Sequence, residues 1–318
     1  MSEPATTLTD TEEPAAQGPS IGLALGGGVA RGWAHIGVLR RLDELGIRPS
    51  VVAGTSVGAL VGGYWLAGKL DDLEEWARSL TKRRMLSQFD LVINGAGLIG
   101  GKRLRKSMAE SLADIRIEDL PIPFAAVTAE LDTGHEIWLK SGSLIDVIEA
   151  AYALPGVFPP AHINGQWLVD GALVNPMPVS VCRAFDAHVV VAVGLHADST
   201  VKIRAASAAP AQEPLIDPRE LEVASKGSMF SEKILLRKIF RATDETPGLG
   251  AVMMSSLSIV LDRITRARLA GDPPDIQITP QVGDISLLDF DRADELIELG
   301  REAVDYSLPR LQSLAQAR

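Results

Sequence analysis

Short apolar runs alternate with segments of helical periodicity over the first part of the chain. Residues 21–25 form an apolar run that ends at three glycines, and apolar side chains then recur at near-helical spacing from 36 to 45. Residues 51–53 form a second apolar run, followed by a glycine-flanked turn and an apolar helix through Leu66. This order of strand, loop, helix, strand, turn and helix predicts a parallel sheet covered by helices.

Further elements follow in the second half of the chain. Residues 123–128 regain strand character, and Asn164-Gly165 is a two-residue hairpin signal that places 166–169 on a strand ending at Asp170. Residues 188–195 are nearly all apolar, which predicts a buried strand. The hydrophobic pattern of the remaining residues predicts the elements that complete the chain: a helix near 250–269, a strand near 275–279 and an amphipathic helix near 291–305.

The same pattern divides the chain into one α/β domain with two tails. Residues 1–19 are acidic and rich in Pro and Ala, which predicts a disordered tail. The domain then spans residues 20–310, and 311–318 form a short C-terminal tail. Within the domain, residues 82–106 are predicted to be irregular and basic. Residues 197–250 are predicted to be a less regular insertion around a short helix near 229–242.

Composition limits the class of protein. Hydrophobic residues make up 46% and charged residues 23% of the chain, enough for a sizeable core. The net charge of −10 argues against binding nucleic acid through overall charge, and the single Cys182 excludes a disulfide framework or a cysteine-rich zinc site. With no run of eighteen apolar residues and no basic, apolar leader, we expect a soluble cytoplasmic protein.

A candidate nucleophile stands at the second strand-to-helix turn. Gly54-Thr55-Ser56-Val57-Gly58 fits G-x-S-x-G, and it follows an apolar strand and opens an apolar helix, which is the setting of a nucleophile elbow. The glycines Gly54 and Gly58 would let the chain pass closely, and the helix N-terminus would offer N–H groups to an oxyanion. The alternative interpretation is a tight turn in which Ser56 only caps the helix.

A glycine loop joins the first strand to the first helix. Gly26, Gly27 and Gly28 allow backbone N–H groups to converge on an anion. The spacing matches neither the dinucleotide-binding G-x-G-x-x-G nor a Walker loop, so no nucleotide cofactor is expected. We interpret it as an oxyanion loop with N–H donors near Gly27 and Gly28. Arg31 would either add positive charge to the site or hold the loop by pairing with a carboxylate.

Ser56 needs a base, and the residues leave two candidates. Asp170 directly follows an apolar strand, and burial would raise its proton affinity. His196 follows the apolar run ending at Leu195 and would complete a Ser-Asp-His order. His35 is interpreted as a packing or hydrogen-bonding residue. The remaining histidines are interpreted as exposed (His135), merely near the site (His162) or at the start of a buried strand (His188). No histidine spacing suggests a metal site.

Three segments in this order resemble the patatin-like phospholipase family, especially its bacterial and neuropathy-target-esterase types. They are residues 25–39 (LGGGVARGWAHIGVL), 54–58 (GTSVG) and 170–178 (DGALVNPMP). Residues 154–160 (LPGVFPP) are similar to the family's proline-rich turn. The resemblance covers about 21–182 well and 270–310 moderately.

The resemblance implies a three-layer fold with a mostly parallel central sheet covered by helices on both faces. It also implies a Ser-Asp dyad without a catalytic histidine: Ser56 attacks, Asp170 is its base, and the glycine loop with Arg31 forms the oxyanion site. Three residues depart from the family's usual pattern, namely Val29, Tyr152 and Ala172. Val29 is notable because a β-branched residue does not easily adopt positive φ.

These observations predict a serine lipid acyl hydrolase of the phospholipase or lysophospholipase type, acting on a lipid or fatty-acyl ester without metal or cofactor. Alternatives are a Ser-Asp-His esterase that uses His196, an acyltransferase on a similar fold, and a non-catalytic binding protein. Residues 226–241 carry five basic side chains and one acid beside apolar ones. Such a helix either lies on the inner face of a membrane as a peripheral contact or packs on the core.

Overall fold

The computed structural model describes residues 20–81, 101–195 and 249–316, and these form helices around a central sheet. The strands are β1 (Ile21–Leu25), β2 (Val51–Thr55), β3 (Phe124–Glu130), β4 (Glu136–Leu139), β5 (Ala161–Ile163), β6 (Gln166–Asp170), β7 (Val189–Val193) and β8 (Ile276–Ile278). The helices are α1 (Ala34–Glu44), α2 (Val57–Leu66), α3 (Leu70–Ser79), α4 (Lys102–Leu112), α5 (Leu144–Ala151), α6 (Val179–Ala184), α7 (Leu249–Gly271) and α8 (Ala293–Gln316).

The sheet is parallel through its centre and antiparallel at one side. Strands β3, β2, β1, β7 and β8 pair in parallel in that order, while β4 and β6 pair antiparallel with β3 and β5 pairs antiparallel with β6. The central strands are buried on both faces, as their continuous apolar sequences predict. This architecture confirms the predicted fold class.

Two strands share one edge of β3 and meet end to end. Thr55, the last residue of β2, pairs with Val127, and Asp170, the last residue of β6, pairs with Thr128. Both strands lie on the edge opposite β4, because β4 pairs with residues 126–129 and so occupies the other edge. β2 is parallel to β3 and β6 is antiparallel to it, so their carboxyl ends arrive at the same point from opposite directions.

Helices cover both faces of the sheet and produce two cores. The larger core includes Leu39 of α1, Leu60 of α2 and Ile148 of α5. The smaller one includes Val181 and Cys182 of α6, with Leu269 of α7 packed against it. Over the described residues, no helix combines the length and the apolar character needed to cross a bilayer.

Helices α1 and α8 cross with their backbones in close contact. A Cβ on Gly37 would overlap the carbonyl oxygen of Ile297, and one on Gly300 would overlap the carbonyl oxygen of Ala34. The two glycines therefore let the C-terminal helix seal the larger core.

Two sequence predictions on element boundaries are wrong. The irregular segment 82–106 ends in helix α4, because Leu104, Met108 and Leu112 repeat every four residues and are buried while the basic side chains face outward. The C-terminal tail 311–318 is helical to Gln316, since Leu311 continues the buried stripe of α8. The predicted acidic tail and the predicted helix near 229–242 lie outside the described residues.

We expect Gly37→Ala to destabilise the protein by about 2 kcal/mol or more, because the methyl group has to displace backbone rather than a side chain. Chemical denaturation monitored by circular dichroism measures this. Gly271→Ala is the matched control, since a Cβ on Gly271 would have no atom within 4 Å. Equal stability of the two variants would contradict the close crossing.

Candidate active site

Ser56 lies at a strained turn between β2 and α2. Its backbone has φ 55° and ψ −125°, a region that non-glycine residues avoid. Such a conformation costs about 1–3 kcal/mol and persists only where the surrounding structure holds it. The turn projects the Ser56 hydroxyl beyond the carboxyl end of β2, as a nucleophile elbow requires.

Gly54 and Gly58 make the tight turn sterically feasible. A Cβ on Gly54 would lie 2.6 Å from the backbone N and Cα of Ala59, and one on Gly58 would overlap the carbonyl oxygen of Leu25. Strand β1 and the start of α2 therefore approach more closely than any larger side chain would permit. The two glycines therefore allow the chain segments around Ser56 to pack closely.

Asp170 meets Ser56 at the shared edge of β3. The Ser56 Oγ donates a hydrogen bond to Asp170 Oδ2 at 2.5 Å, and the backbone N–H of Ala172 donates to Asp170 Oδ1 at 2.8 Å. One carboxylate oxygen thus faces the serine while the other fixes the orientation of the carboxylate. Both side chains are buried.

Burial makes the Asp170 carboxylate a stronger base than an exposed aspartate. Loss of water around the carboxylate raises the pKa of Asp170 to about 7, although the hydrogen bonds from Ser56 and Ala172 oppose this shift. A carboxylate with a pKa near neutrality can accept the serine proton and still be ionised at physiological pH.

The glycine loop lies beside Ser56, and two of its N–H groups hold the loop in place. The N–H of Gly26 donates to Val193 O and that of Gly27 donates to Pro176 O at 3.0 Å. The N–H of Gly27 thus holds the loop against the segment after Asp170. Within the described residues, the N–H groups of Gly28 and of Val57 have no acceptor.

Val29 follows these glycines with φ 51°, although its side chain is β-branched. The residue that departs from the family pattern thus adopts the backbone that such a side chain disfavours. The strained residue therefore directly follows Gly28 in the loop.

Arg31 holds the loop through a backbone carbonyl. Its Nε donates to Ile285 O at 2.7 Å, and the N–H of the neighbouring Ala30 donates to Leu287 O. Burial lowers the pKa of Arg31, and the nearby Asp289 carboxylate opposes that shift. Of the two interpretations of Arg31, the contacts favour the loop-holding one, with a carbonyl as the direct partner.

His35 supports the loop from the other side. The acceptor Gly26 O lies 2.8 Å from His35 Nε2, so Nε2 carries the proton. Burial lowers the pKa of His35 to about 4, and the ring is neutral at physiological pH. His35 is thus a hydrogen-bonding residue, as predicted. His196, the rival base, lies outside the described residues.

Asn175 joins the three segments of the site, a role that sequence reasoning misses. Its backbone O accepts from Thr55 Oγ1 at 2.8 Å, and its N–H donates to Gly171 O. The next residue, Pro176, accepts the N–H of Gly27. The only sequence signal was the Asn-Pro pair within residues 170–178.

A charged network fixes Asn175 in turn. Asn175 Nδ2 donates to Glu136 Oε1 at 2.7 Å, and Arg268 of α7 donates to Glu136 Oε2 at 3.0 Å and to Val174 O at 3.0 Å.

Among the residues that the structure describes, no three His, Cys, Asp or Glu side chains cluster closely enough to hold a metal ion.

The chain is similar to several known proteins. Residues 23–183 match the family model for patatin-like phospholipase. An uncharacterized NTE family protein of Mycobacterium tuberculosis is 33% identical over 91% of this chain and 91% of its own length. Neuropathy target esterase of Drosophila melanogaster is 34% identical over 55% of this chain, which is 13% of that protein. The crystal structure of VipD from Legionella pneumophila aligns over 95% of this chain and 68% of that chain, with a TM-score of 0.45 and 11% identity.

The matched region runs from β1 into α6 and contains Ser56, Asp170 and the glycine loop. Similarity to the mycobacterial protein extends over nearly the whole chain. These matches confirm the resemblance seen in residues 25–39, 54–58 and 170–178. The chain belongs to the patatin-like phospholipase family.

Proposed function

We propose that this protein is a serine lipid acyl hydrolase that uses Ser56 and Asp170 as a catalytic dyad. Family membership supports lipid hydrolase activity in general. The observation that carries the proposed dyad is the 2.5 Å hydrogen bond from Ser56 Oγ, on a strained turn, to the carboxylate of Asp170. That carboxylate is buried and has no charged partner among the described residues. The substrate class is a carboxylic ester of a phospholipid or lysophospholipid.

Acylation begins when Asp170 Oδ2 takes the proton of Ser56 as Oγ attacks the ester carbonyl carbon. The carbonyl oxygen becomes an oxyanion, which the N–H groups of Gly28 and Val57 stabilise. Val57 lies at the N-terminus of α2, where the helix dipole adds to the stabilisation. The ester C–O bond then breaks, and the leaving alkoxide takes the proton from Asp170.

Deacylation repeats these steps with water as the nucleophile. Asp170 takes a proton from water while the hydroxide oxygen attacks the acyl carbon, and the same N–H groups hold the second oxyanion. The bond from the acyl carbon to Ser56 Oγ breaks, Asp170 returns the proton to Ser56, and a fatty acid leaves. Free fatty acid as the product distinguishes this reaction from acyl transfer to another acceptor.

We expect Ser56→Ala and Asp170→Asn each to lower the turnover of a medium-chain p-nitrophenyl ester by about a thousandfold or more, because each removes one half of the dyad. Release of p-nitrophenol measures the rate. Asp132→Asn is the matched control, since Asp132 is exposed on a hairpin turn. Turnover by either dyad variant at the level of this control would refute the dyad.

Asp170→Asn should also stabilise the fold at alkaline pH. The folded state holds the Asp170 proton up to about pH 7, whereas an ordinary aspartate releases it near 3.8. Wild-type stability is therefore lost as the pH rises between these values, and the amide has no such loss. Relative to wild type, the variant gains up to about 4 kcal/mol above that window and nothing below it.

Urea unfolding at pH values across this window measures that difference. The same comparison with Asp132→Asn, a substitution at an exposed position, is the control for the change of residue type. An Asp170→Asn effect that is the same at every pH would show that burial does not perturb the Asp170 carboxylate.

A further inference from the structure

Helix α7 exposes an apolar face to solvent. Val252, Met253, Ile259 and Val260 are 44%, 58%, 63% and 50% exposed. Their spacing of i, i+1, i+7 and i+8 places them on one side of the helix, and Arg263, also exposed, continues that side one turn later. We name these five residues the α7 face. Large apolar side chains at this spacing ordinarily mark the face that a helix buries.

Charge changes along the α7 face in one direction. Residues 252–261 carry no charged side chain, and the first charges follow at Asp262 and Arg263. Arg266 pairs with Asp262 and Arg268 pairs with Glu136, whereas Arg263 has no ion-pair partner within the described residues. The face is therefore uncharged over three turns, with four large apolar side chains and the exposed Ser256 among them, and it ends in an exposed guanidinium.

The α7 face projects toward the end of the sheet that bears Ser56. Helix α7 leads into β8, whose preceding residue Asp275 donates its N–H to Val190 near the amino end of β7. A helix that enters a parallel strand from its amino end begins near the carboxyl end, where Ser56 lies. Thr265 is buried and Leu269 packs on the smaller core, but no described side chain from 252 to 264 is buried.

The same helix contacts the loop that carries the proposed base. Arg268 donates to Val174 O, four residues after Asp170, and to Glu136, which holds Asn175. The α7 face is thus the exposed extension of an element that is fixed directly beside the site.

We propose that the α7 face binds the surface of a phospholipid bilayer that contains anionic lipid. The four apolar side chains would enter the boundary between head groups and acyl chains, and Arg263 would pair with a lipid phosphate. Residues 252–263 span about 17 Å of helix axis, too short to cross a hydrocarbon core of about 30 Å. The helix therefore lies along the surface, and this inference rests on the proposed lipid hydrolase function.

An isolated apolar face could also be covered by a second copy of the chain, but its composition favours lipid. The face has no carboxylate that would meet Arg263 in a symmetric partner, because Asp262, the acid next to it in the described helix, pairs with Arg266. A bilayer offers both an apolar interior and phosphate at the depth where Arg263 stands. A bilayer is also where the proposed substrate is held.

Vesicle sedimentation of the full chain tests this proposal. Wild type should sediment with phosphatidylcholine vesicles that contain phosphatidylglycerol, and Met253→Asp combined with Ile259→Asp should bind at least about tenfold more weakly. Arg263→Gln should weaken binding to these vesicles about fivefold, without changing binding to pure phosphatidylcholine. Tyr306→Asp is the matched control, since Tyr306 is 91% exposed on α8.

Two further measurements separate this proposal from the proposed function. Ser56→Ala should bind vesicles as wild type does, and the double variant should hydrolyse a soluble p-nitrophenyl ester at the wild-type rate. If wild type does not hydrolyse the soluble ester, the hydrolase function is refuted. Vesicle sedimentation then still tests whether the α7 face binds a bilayer.

Three results would overturn the proposal: wild type that does not sediment with vesicles, a double variant that binds as wild type does, or a wild-type dimer that the double variant makes monomeric while vesicle binding persists. If the double variant does not fold, Ile259→Trp replaces it, because a tryptophan at this position should tighten vesicle binding about threefold. Unchanged vesicle binding by Ile259→Trp would also overturn the proposal.

Discussion

The edge of β3 is the constraint on which the site depends. Thr55 and Asp170 pair with adjacent residues of that edge, and their strands run toward each other. Ser56 follows Thr55 directly, so the hydroxyl of Ser56 meets the carboxylate of Asp170 at 2.5 Å although the two residues are 114 positions apart in the chain. The strained turn at Ser56, the close passage of β1 and the bond from Thr55 to Asn175 all hold the serine at this meeting point.

Burial at this edge gives the carboxylate its chemistry. Burial raises the pKa of Asp170 to about 7, and no charged side chain among the described residues opposes this shift, so the proposed dyad would have a base near neutrality without a histidine. The surrounding groups hold the loops and do not titrate: His35 is neutral, Arg31 bonds a carbonyl, and the Gly27 N–H is committed to Pro176. The proposed oxyanion donors are the N–H groups of Gly28 and Val57, which have no acceptor among the described residues.

Sequence patterns predict the sheet, the elbow and Asp170, because each depends on local signals: continuous apolar strands, G-x-S-x-G, and an Asp-Gly at a strand end. They do not predict which loop N–H groups stay free, since the partner of Gly27 lies about 150 residues away in the chain. The role of Asn175 is not predicted for the same reason, because its partners Thr55 and Glu136 are distant from it in the sequence. The length of α8 was missed because a tail and a last helical turn differ by one buried side chain, Leu311.

The central claim is that a desolvated Asp170 carboxylate, and no histidine, activates Ser56. The most direct test is the pH dependence of kcat/KM for a soluble ester, measured in wild type and in His196→Ala. We expect kcat/KM to rise with pH through a midpoint near 7 and then level off, because the base must be ionised, and we expect both proteins to share this midpoint. A rate that stays constant down to about pH 5, or a step that disappears in His196→Ala, would contradict the claim.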